Sequence, residues 1–390
     1  MKKPQSILDD DLYKFTMQWA IMNKFPDAKV EYKFFNRGLD EFPPGFGKAL
    51  TKEIQKLSQL QLTVEEEQFL IRKTPFLPQL YIDFLKGFRY SPDEVQVTQM
   101  GKKLNIQIKG YWYRTVLWEV KLLSLISELF FNKTKQKPKF SGKVLREMNT
   151  SKIEKMLLHK AHISDFGTRR RYSFDNQDKL VKCFSNEKYK DVFMGTSNLY
   201  FAFKYNLSPI GTHAHEWFMF NAAKYGYIMA NKMALDNWSD VYHGDLGIAL
   251  TDTFTSKVFF KIFDKKMARL FDGVRHDSGD PFEFAQTVIK HYESLDIDPK
   301  SKALIFSDNL NIEKALRIHK LFSDKIKVRF GIGTFLTNDV GVKALSIVIK
   351  MTRACIHGEW FNTIKLSDDL GKETGDLNEI RKSKETMYLN

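Results

Sequence analysis

From Ser141 onward one local unit recurs: a short apolar segment, a polar loop and, in most cases, a helical pattern. His162-Ile163-Ser164 leads to Asp165-Phe-Gly-Thr-Arg-Arg170, and Asp191-Val-Phe-Met194 leads to Gly195-Thr-Ser-Asn198. Leu207-Ser-Pro-Ile210 leads to Gly211-Thr-His-Ala-His215, and Gly247-Ile-Ala-Leu250 to Thr251-Asp-Thr253. Phe271-Asp-Gly-Val274 leads to Arg275-His-Asp-Ser-Gly-Asp280, Ala303-Leu-Ile-Phe306 to Ser307-Asp-Asn309, and Lys327-Val-Arg-Phe330 to Gly331-Ile-Gly-Thr334. Apolar segments this short read as buried strands, and helices between them imply parallel pairing with crossover connections. Reactive groups gathered behind strand C-terminal ends are what a (β/α) barrel supplies. No internal sequence repeat is evident, so the expected barrel is irregular or incomplete.

The first part of the chain has a different texture. Leu12, Phe15, Trp19 and Met22 recur at helical spacing and predict an opening helix over 6–24, capped by Ser6, Asp9, Asp10 or Asp11. Tyr13 and Thr16 share one face of it. Alternation at Val30, Tyr32 and Phe34 predicts a half-buried strand, and 94–99 with 104–108 predicts a hairpin through Gly101. A long amphipathic helix is expected over 111–132, with Glu119 and Glu128 as salt-bridge or rim residues. Residues 136–139 are the best linker candidate. The expected organisation is an α/β fold: an N-terminal α/β domain (1–138) packed on an irregular (β/α) barrel (139–366). Within the latter, 344–351 and 355–366 are expected to form a closing hairpin. A tail (367–390) is expected to return to the N-terminal domain.

Length and composition limit the class of protein. The 390 residues, 43% of them hydrophobic, can bury sizeable cores, and general disorder is excluded. No apolar run is long enough for a membrane span, Met1-Lys-Lys-Pro-Gln-Ser lacks the apolar segment of a signal peptide, and Cys183 and Cys355 cannot make a disulfide framework. A cytoplasmic protein is expected. The net charge of +14 is spread along the chain, as in Lys133-Thr-Lys-Gln-Lys-Pro-Lys139, rather than drawn into one stripe. That favours solvated faces or attraction of polyphosphates over nucleic-acid binding.

The strand-end loops carry the chemistry. In Arg275-His-Asp-Ser-Gly-Asp-Pro281, Asp277 and Asp280 can accept ribose hydroxyls or coordinate Mg²⁺, which prefers hard oxygen ligands; an ordinary cap-and-turn at Asp280 is the alternative. Gly331 and Gly333 offer backbone amides for a phosphate nest, supported by Ser307, Asp308 and Asn309 one unit earlier. Phe166 and Arg169 can stack on and clamp a planar anionic ring. Thr196 and Ser197 offer hydroxyls without charge, compatible with an anionic ring substituent. For His213-Ala-His215 there are three readings: zinc ligands of a metal-dependent barrel hydrolase, structural histidines, or a nucleophile held by a carboxylate. Asp252 and Glu216 are the carboxylates available for the third.

Taken together, GTxAHEWF (211–218), RHDSGDP (275–281), FSDN (306–309) and FGIGT (330–334), with the opening Asp11-Leu-Tyr-Lys-Phe-Thr-Met17, resemble the nicotinate phosphoribosyltransferase family over nearly the whole chain. The resemblance implies a type II phosphoribosyltransferase fold and the joining of nicotinate to 5-phosphoribosyl-1-pyrophosphate, coupled to ATP. It implies His215 as a phosphohistidine with Asp252 orienting it, and Phe166 and Tyr13 sandwiching the pyridine ring. Arg169, Arg275 and Ser197 would lie near the ring carboxylate or the sugar phosphate, with Ser278 and Thr334 lining the same site. Asp277 would hold ribose hydroxyls, and the amides at Asp308, Gly331 and Gly333 the 5′-phosphate. Mg²⁺ would arrive with the pyrophosphate, Asp277 or Asp280 being its possible protein ligands. Ser197, where the related nicotinamide-using family has an aspartate, favours the acid over the amide. Whether the protein is a monomer or a homodimer, and whose site Tyr13 serves, stays open.

Overall fold

The computed structural model describes residues 6–369 and 371–389. Its strands are β1 (Lys29–Asn36), β2 (Val95–Met100), β3 (Lys103–Tyr111), β4 (His162–Asp165), β5 (Phe193–Thr196), β6 (Ile248–Leu250), β7 (Gly273–His276), β8 (Ala303–Phe306), β9 (Lys327–Ile332), β10 (Ile347–Ile356) and β11 (Glu359–Asn362). The short apolar segments of the second half do pair in parallel, in the order β5-β4-β9-β8-β7-β6. Residues 209–213 span the gap between the two edge strands. Ile210 N donates to Thr196 O at 3.0 Å, Thr212 Oγ1 to Ile248 O at 3.1 Å, and Leu250 N to His213 Nε2 at 3.2 Å. Side chains thus replace ladder bonds on one side, because Pro209 and Gly211 interrupt a regular strand there. The result is the expected irregular barrel beside an N-terminal α/β unit.

The antiparallel sheet runs β11-β10-β1-β3-β2. The late hairpin therefore forms, but not as a closing piece of the barrel: β10 pairs with β1 along its length. Its alternation of buried and half-buried residues suits a sheet with one covered face. The C-terminal tail carries a helix, Leu377–Thr386. Glu379 accepts the Tyr227 hydroxyl at 2.7 Å, and Thr374 pairs with Lys365.

Two sequence expectations are displaced near the N terminus. The opening helix spans Leu12–Lys24 only, because the preceding residues pair with the loop after β5. Tyr200 N donates to Leu8 O, Leu199 N to Asp10 O and Leu12 N to Ser197 O, at 2.7–2.9 Å. Ser6, offered as a cap, donates its hydroxyl to Glu66 instead. The long helix is also split, into Trp112–Thr115 and Trp118–Lys133.

Arg171 secures the first displacement. Fully buried, it holds both oxygens of Asp9 at 2.7 and 2.8 Å and reaches Glu128 at 2.9 Å. Elsewhere the halves share one hydrophobic core, in which Trp112 stacks on Phe220 with centroids 4.2 Å apart. Tyr13 is in this way delivered to the mouth of the barrel.

Candidate functional site

A cavity of about 570 Å³ opens at the C-terminal ends of the parallel strands and is roofed by the antiparallel sheet. At one end Tyr13, Phe166, Arg169 and Ser197 line it, all from a single chain. Phe166 follows β4, and its ring lies against Gly331: a Cβ there would come within 2.3 Å of the ring. Ser197 Oγ donates to Asp11 at 2.7 Å, so this end also contains a buried carboxyl. Burial raises the Asp11 pKa, hydrogen bonds from Ser197 and Thr168 only partly opposing it.

His215 opens the helix His215–Tyr225 in the middle of the site. Its Nδ1 lies 3.0 Å from Thr253 Oγ1, and its Nε2 lies 2.9 Å from Asp277 Oδ2 and 3.0 Å from Lys365 Nζ. Burial, aided by the Lys365 charge, lowers its pKa to about 4 despite Asp252 and Asp277. The imidazole is therefore neutral near pH 7, with a hydrogen-bond partner for the proton at either nitrogen. Asp252 is not the direct partner expected: its nearer oxygen is 3.9 Å from Nδ1. It accepts from Ser278 at 2.6 Å and from Lys365 at 3.1 Å, and so reaches the ring through Lys365, which lies 3.0 Å from Nε2.

The remaining sequence candidates divide. Arg275, Asp277, Ser278, Ser307, Asp308 and Asn309 line the cavity, as do Gly333 and Thr334. Ser307 Oγ lies 2.8 Å from Asp277 Oδ1 and 3.0 Å from His276 O, and the two acceptors share its single proton. Four others are drawn off by local structure. Thr196 is buried and donates to Asp165 at 2.8 Å. Gly331 lies inside β9, where its lack of a side chain makes room for Phe166 instead of forming a nest. Asp280 caps the helix Pro281–Ser294, accepting from Phe282 N and Glu283 N, which is the ordinary cap-and-turn. Glu216 still lines the cavity, but its carboxylate is taken up by Lys14 and the Tyr32 hydroxyl rather than by His215.

Sequence reasoning missed a wall of cations. Arg37, Arg170, Lys350, Lys365 and Lys372 face the cavity from four separate parts of the chain. Burial together with Lys365, Arg169 and Arg37 lowers Lys350 to about 8, against the pull of Glu119. Arg170 is lowered to about 10 by burial and by Arg169 and Arg37. Cations crowded until they depress one another are a site shaped for a polyanion. A scattered lysine carries no local signal for this.

The same geometry bears on metal binding. His215, Asp252 and Asp277 bring ligand atoms within 4.8 Å of one another. Lys365 Nζ sits among them, however, within 3.1 Å of both His215 and Asp252, where an ion would have to lie. His213 has its Nε2 lone pair on Leu250 N–H, so the two histidines do not converge as zinc ligands. Asp280 is occupied as a cap, leaving Asp277 as the carboxylate able to meet a substrate-borne Mg²⁺.

The same combination of folds and motifs is found in known proteins. Residues 161–389 match the nicotinate phosphoribosyltransferase family, and residues 8–127 match that family's N-terminal domain. The chain is 50% identical to a nicotinate phosphoribosyltransferase of Chromohalobacter salexigens over 98% of both chains. It is 43% identical to that of Methanosarcina mazei over 97% of this chain and 96% of the other. The crystal structure of the Porphyromonas gingivalis nicotinate phosphoribosyltransferase superposes with a TM-score of 0.96 at 43% identity, over 99% of this chain and 100% of that one. With the motifs, both sheets and the cavity in agreement, the chain belongs to the nicotinate phosphoribosyltransferase family.

Proposed function

We propose that the protein transfers a 5-phosphoribosyl group from phosphoribosyl pyrophosphate to nicotinate, giving nicotinate mononucleotide and pyrophosphate in NAD salvage. ATP is coupled to the transfer through a phosphoryl group on His215. The observation that carries this reading is the lining of one cavity, which brings together Tyr13, Phe166 and Arg169, a wall of cations, and His215 in contact with Asp277 and Lys365.

In the reaction the ribose C1–oxygen bond to pyrophosphate breaks and a C1–nitrogen bond to the pyridine forms, through an oxocarbenium-like state. The pyridine nitrogen is already a nucleophile, so no general base is needed. Tyr13 and Phe166 hold the ring, with Arg169 near its carboxylate. Asp277 accepts ribose hydroxyls, while the loops at Asp308 and Gly333 receive the 5′-phosphate. Arg37, Lys350, Lys365 and Lys372 neutralise the departing pyrophosphate. Magnesium arriving with the pyrophosphate would add further charge neutralisation, with Asp277 as the carboxylate able to meet it. The neutral imidazole of His215 attacks the γ-phosphorus of ATP; ADP leaves, and water later cleaves the phosphorus–nitrogen bond.

Tyr13 and Phe166 line the same cavity of one chain, which supports a site complete in a single copy, whether the protein is a monomer or a homodimer. Among the described residues no helix is long and apolar enough to cross a membrane, in keeping with the proposed cytoplasmic location.

Product analysis with labelled nicotinate and nicotinamide, each with and without ATP, tests the reading. Nicotinate mononucleotide is expected, with ATP stimulation that disappears in His215→Asn while some nicotinate-dependent turnover persists. Preferential use of nicotinamide would overturn the substrate assignment, and intact ATP stimulation in His215→Asn would overturn the phosphohistidine.

A further inference from the structure

Glu216 follows His215 in the first turn of its helix, yet its carboxylate serves another partner. One oxygen receives the Lys14 ammonium, and the other accepts the Tyr32 hydroxyl at 2.6 Å. Lys14 is wholly buried and also reaches Glu119 Oε2 at 2.6 Å. The second Glu119 oxygen lies 3.6 Å from Arg169 Nη1. Lys14 also follows Tyr13 in sequence, its ammonium 5.3 Å from the centre of that ring. A line of alternating charges therefore runs from the residue after His215 to the two groups that face the ring end of the cavity.

Burial favours a neutral Lys14, but Glu119 and Glu216 outweigh it and raise its pKa. Burial also pushes Glu119 up, yet Lys14, Arg169 and Lys350 hold it down at about 2. Packing alone does not require such a line, since apolar side chains often stabilise a buried site equally well. No step of the proposed reaction uses Lys14, Glu119 or Glu216.

We propose that Lys14 is a positioning residue that couples the state of His215 to the nicotinate end of the cavity, which rests on His215 carrying a phosphoryl group. Phosphorylation places up to two negative charges beside Asp252 and Asp277, and repulsion displaces the first turn of the helix. Glu216 moves with that turn, so Lys14, already 2.6 Å from Glu119, is left to Glu119 alone. Glu119 then releases Arg169, whose guanidinium becomes available to the ring carboxylate. Phosphorylation is thereby expected to tighten nicotinate binding, and nicotinate to favour the phosphorylated form by the same factor.

The test uses full-length wild type, Glu119→Gln, and the charge-balanced pair Lys14→Gln/Glu216→Gln, with folding checked by thermal melting. Labelling from γ-³²P-ATP reports phosphoryl on His215. The nicotinate KM without ATP divided by that with ATP reports the coupling. Wild type should show a ratio well above one, and Glu119→Gln should lower it about fivefold or more while still labelling. A purely structural role would not change this ratio selectively, so the KM for phosphoribosyl pyrophosphate should keep its own response to ATP.

A wild-type ratio in Glu119→Gln overturns the coupling, as does one in the paired variant. A labelled wild type with a ratio of one overturns it without touching the proposed function. Absence of label in wild type overturns the phosphohistidine and the coupling with it.

Discussion

Replacing Gly331 by alanine tests whether this position floors the ring site or donates to a phosphate. The new methyl carbon would lie 2.3, 2.4 and 2.9 Å from three carbons of the Phe166 ring. A return to ordinary carbon contact at about 3.5 Å requires roughly 1 Å of movement. The Phe166 backbone cannot supply it, because its N–H donates to Ile332 O at 2.9 Å within the sheet margin. The ring must tilt into the cavity instead. Overpacking of this kind costs about 1–3 kcal/mol of stability. Loss of an aligned aromatic contact is worth about 0.5–1.5 kcal/mol, or roughly two- to tenfold in nicotinate KM. Steady-state kinetics should show that increase with the KM for phosphoribosyl pyrophosphate unchanged, alongside a lower melting temperature. A rise confined to phosphoribosyl pyrophosphate would refute the reasoning and restore Gly331 to a phosphate nest.

Further predictions concern charge and protons. Arg171→Met strands Asp9 and Glu128 as buried carboxylates and should cost about 3–5 kcal/mol in urea denaturation; a loss under about 1 kcal/mol would mean that solvent reaches them. The Asp9 carboxyl is pushed up by burial but held well below the usual range by Arg171, Lys121 and Asn198. Its contribution is therefore present above the ordinary carboxylate pKa and fades as pH falls through the lowered value.

His215, lowered to about 4, should label from ATP at a rate independent of its own titration between about pH 6 and 8. Since an unfolded histidine titrates near 6.5, the unfolded chain binds the extra proton first, and stability falls as pH drops from there toward 4. About 3 kcal/mol is lost over that window; an unchanged pH slope in His215→Asn would contradict this. Thr253→Val removes the partner of Nδ1 and should slow labelling about fivefold, and a wild-type rate would exclude Thr253 from holding the ring.

The sequence by itself determined the barrel and most of its rim. Short apolar segments followed by polar loops and helices bury their backbones as parallel strands, all but the segment at 207–210 doing so here, and the loops then share one end. His215, Asp277, Ser307 and Gly333 were legible because each sits within a few residues beyond such a segment. Tertiary structure decided how the remaining polar groups are satisfied. Asp280 and Thr196 looked like ligands but answer nearer donors and acceptors, a helix start in one case and Asp165 in the other. Glu216 is adjacent to His215 in the chain, but the first turn of a helix points consecutive side chains in different directions, and Lys14 was on its side. The cations Arg37, Lys350 and Lys365 come from the antiparallel sheet and the segment after it, far along the chain. Spacing reports neighbours within one strand or helix. Which distant charge fills a cavity wall depends on how the sheets are laid together, and here that follows from β10 pairing with β1.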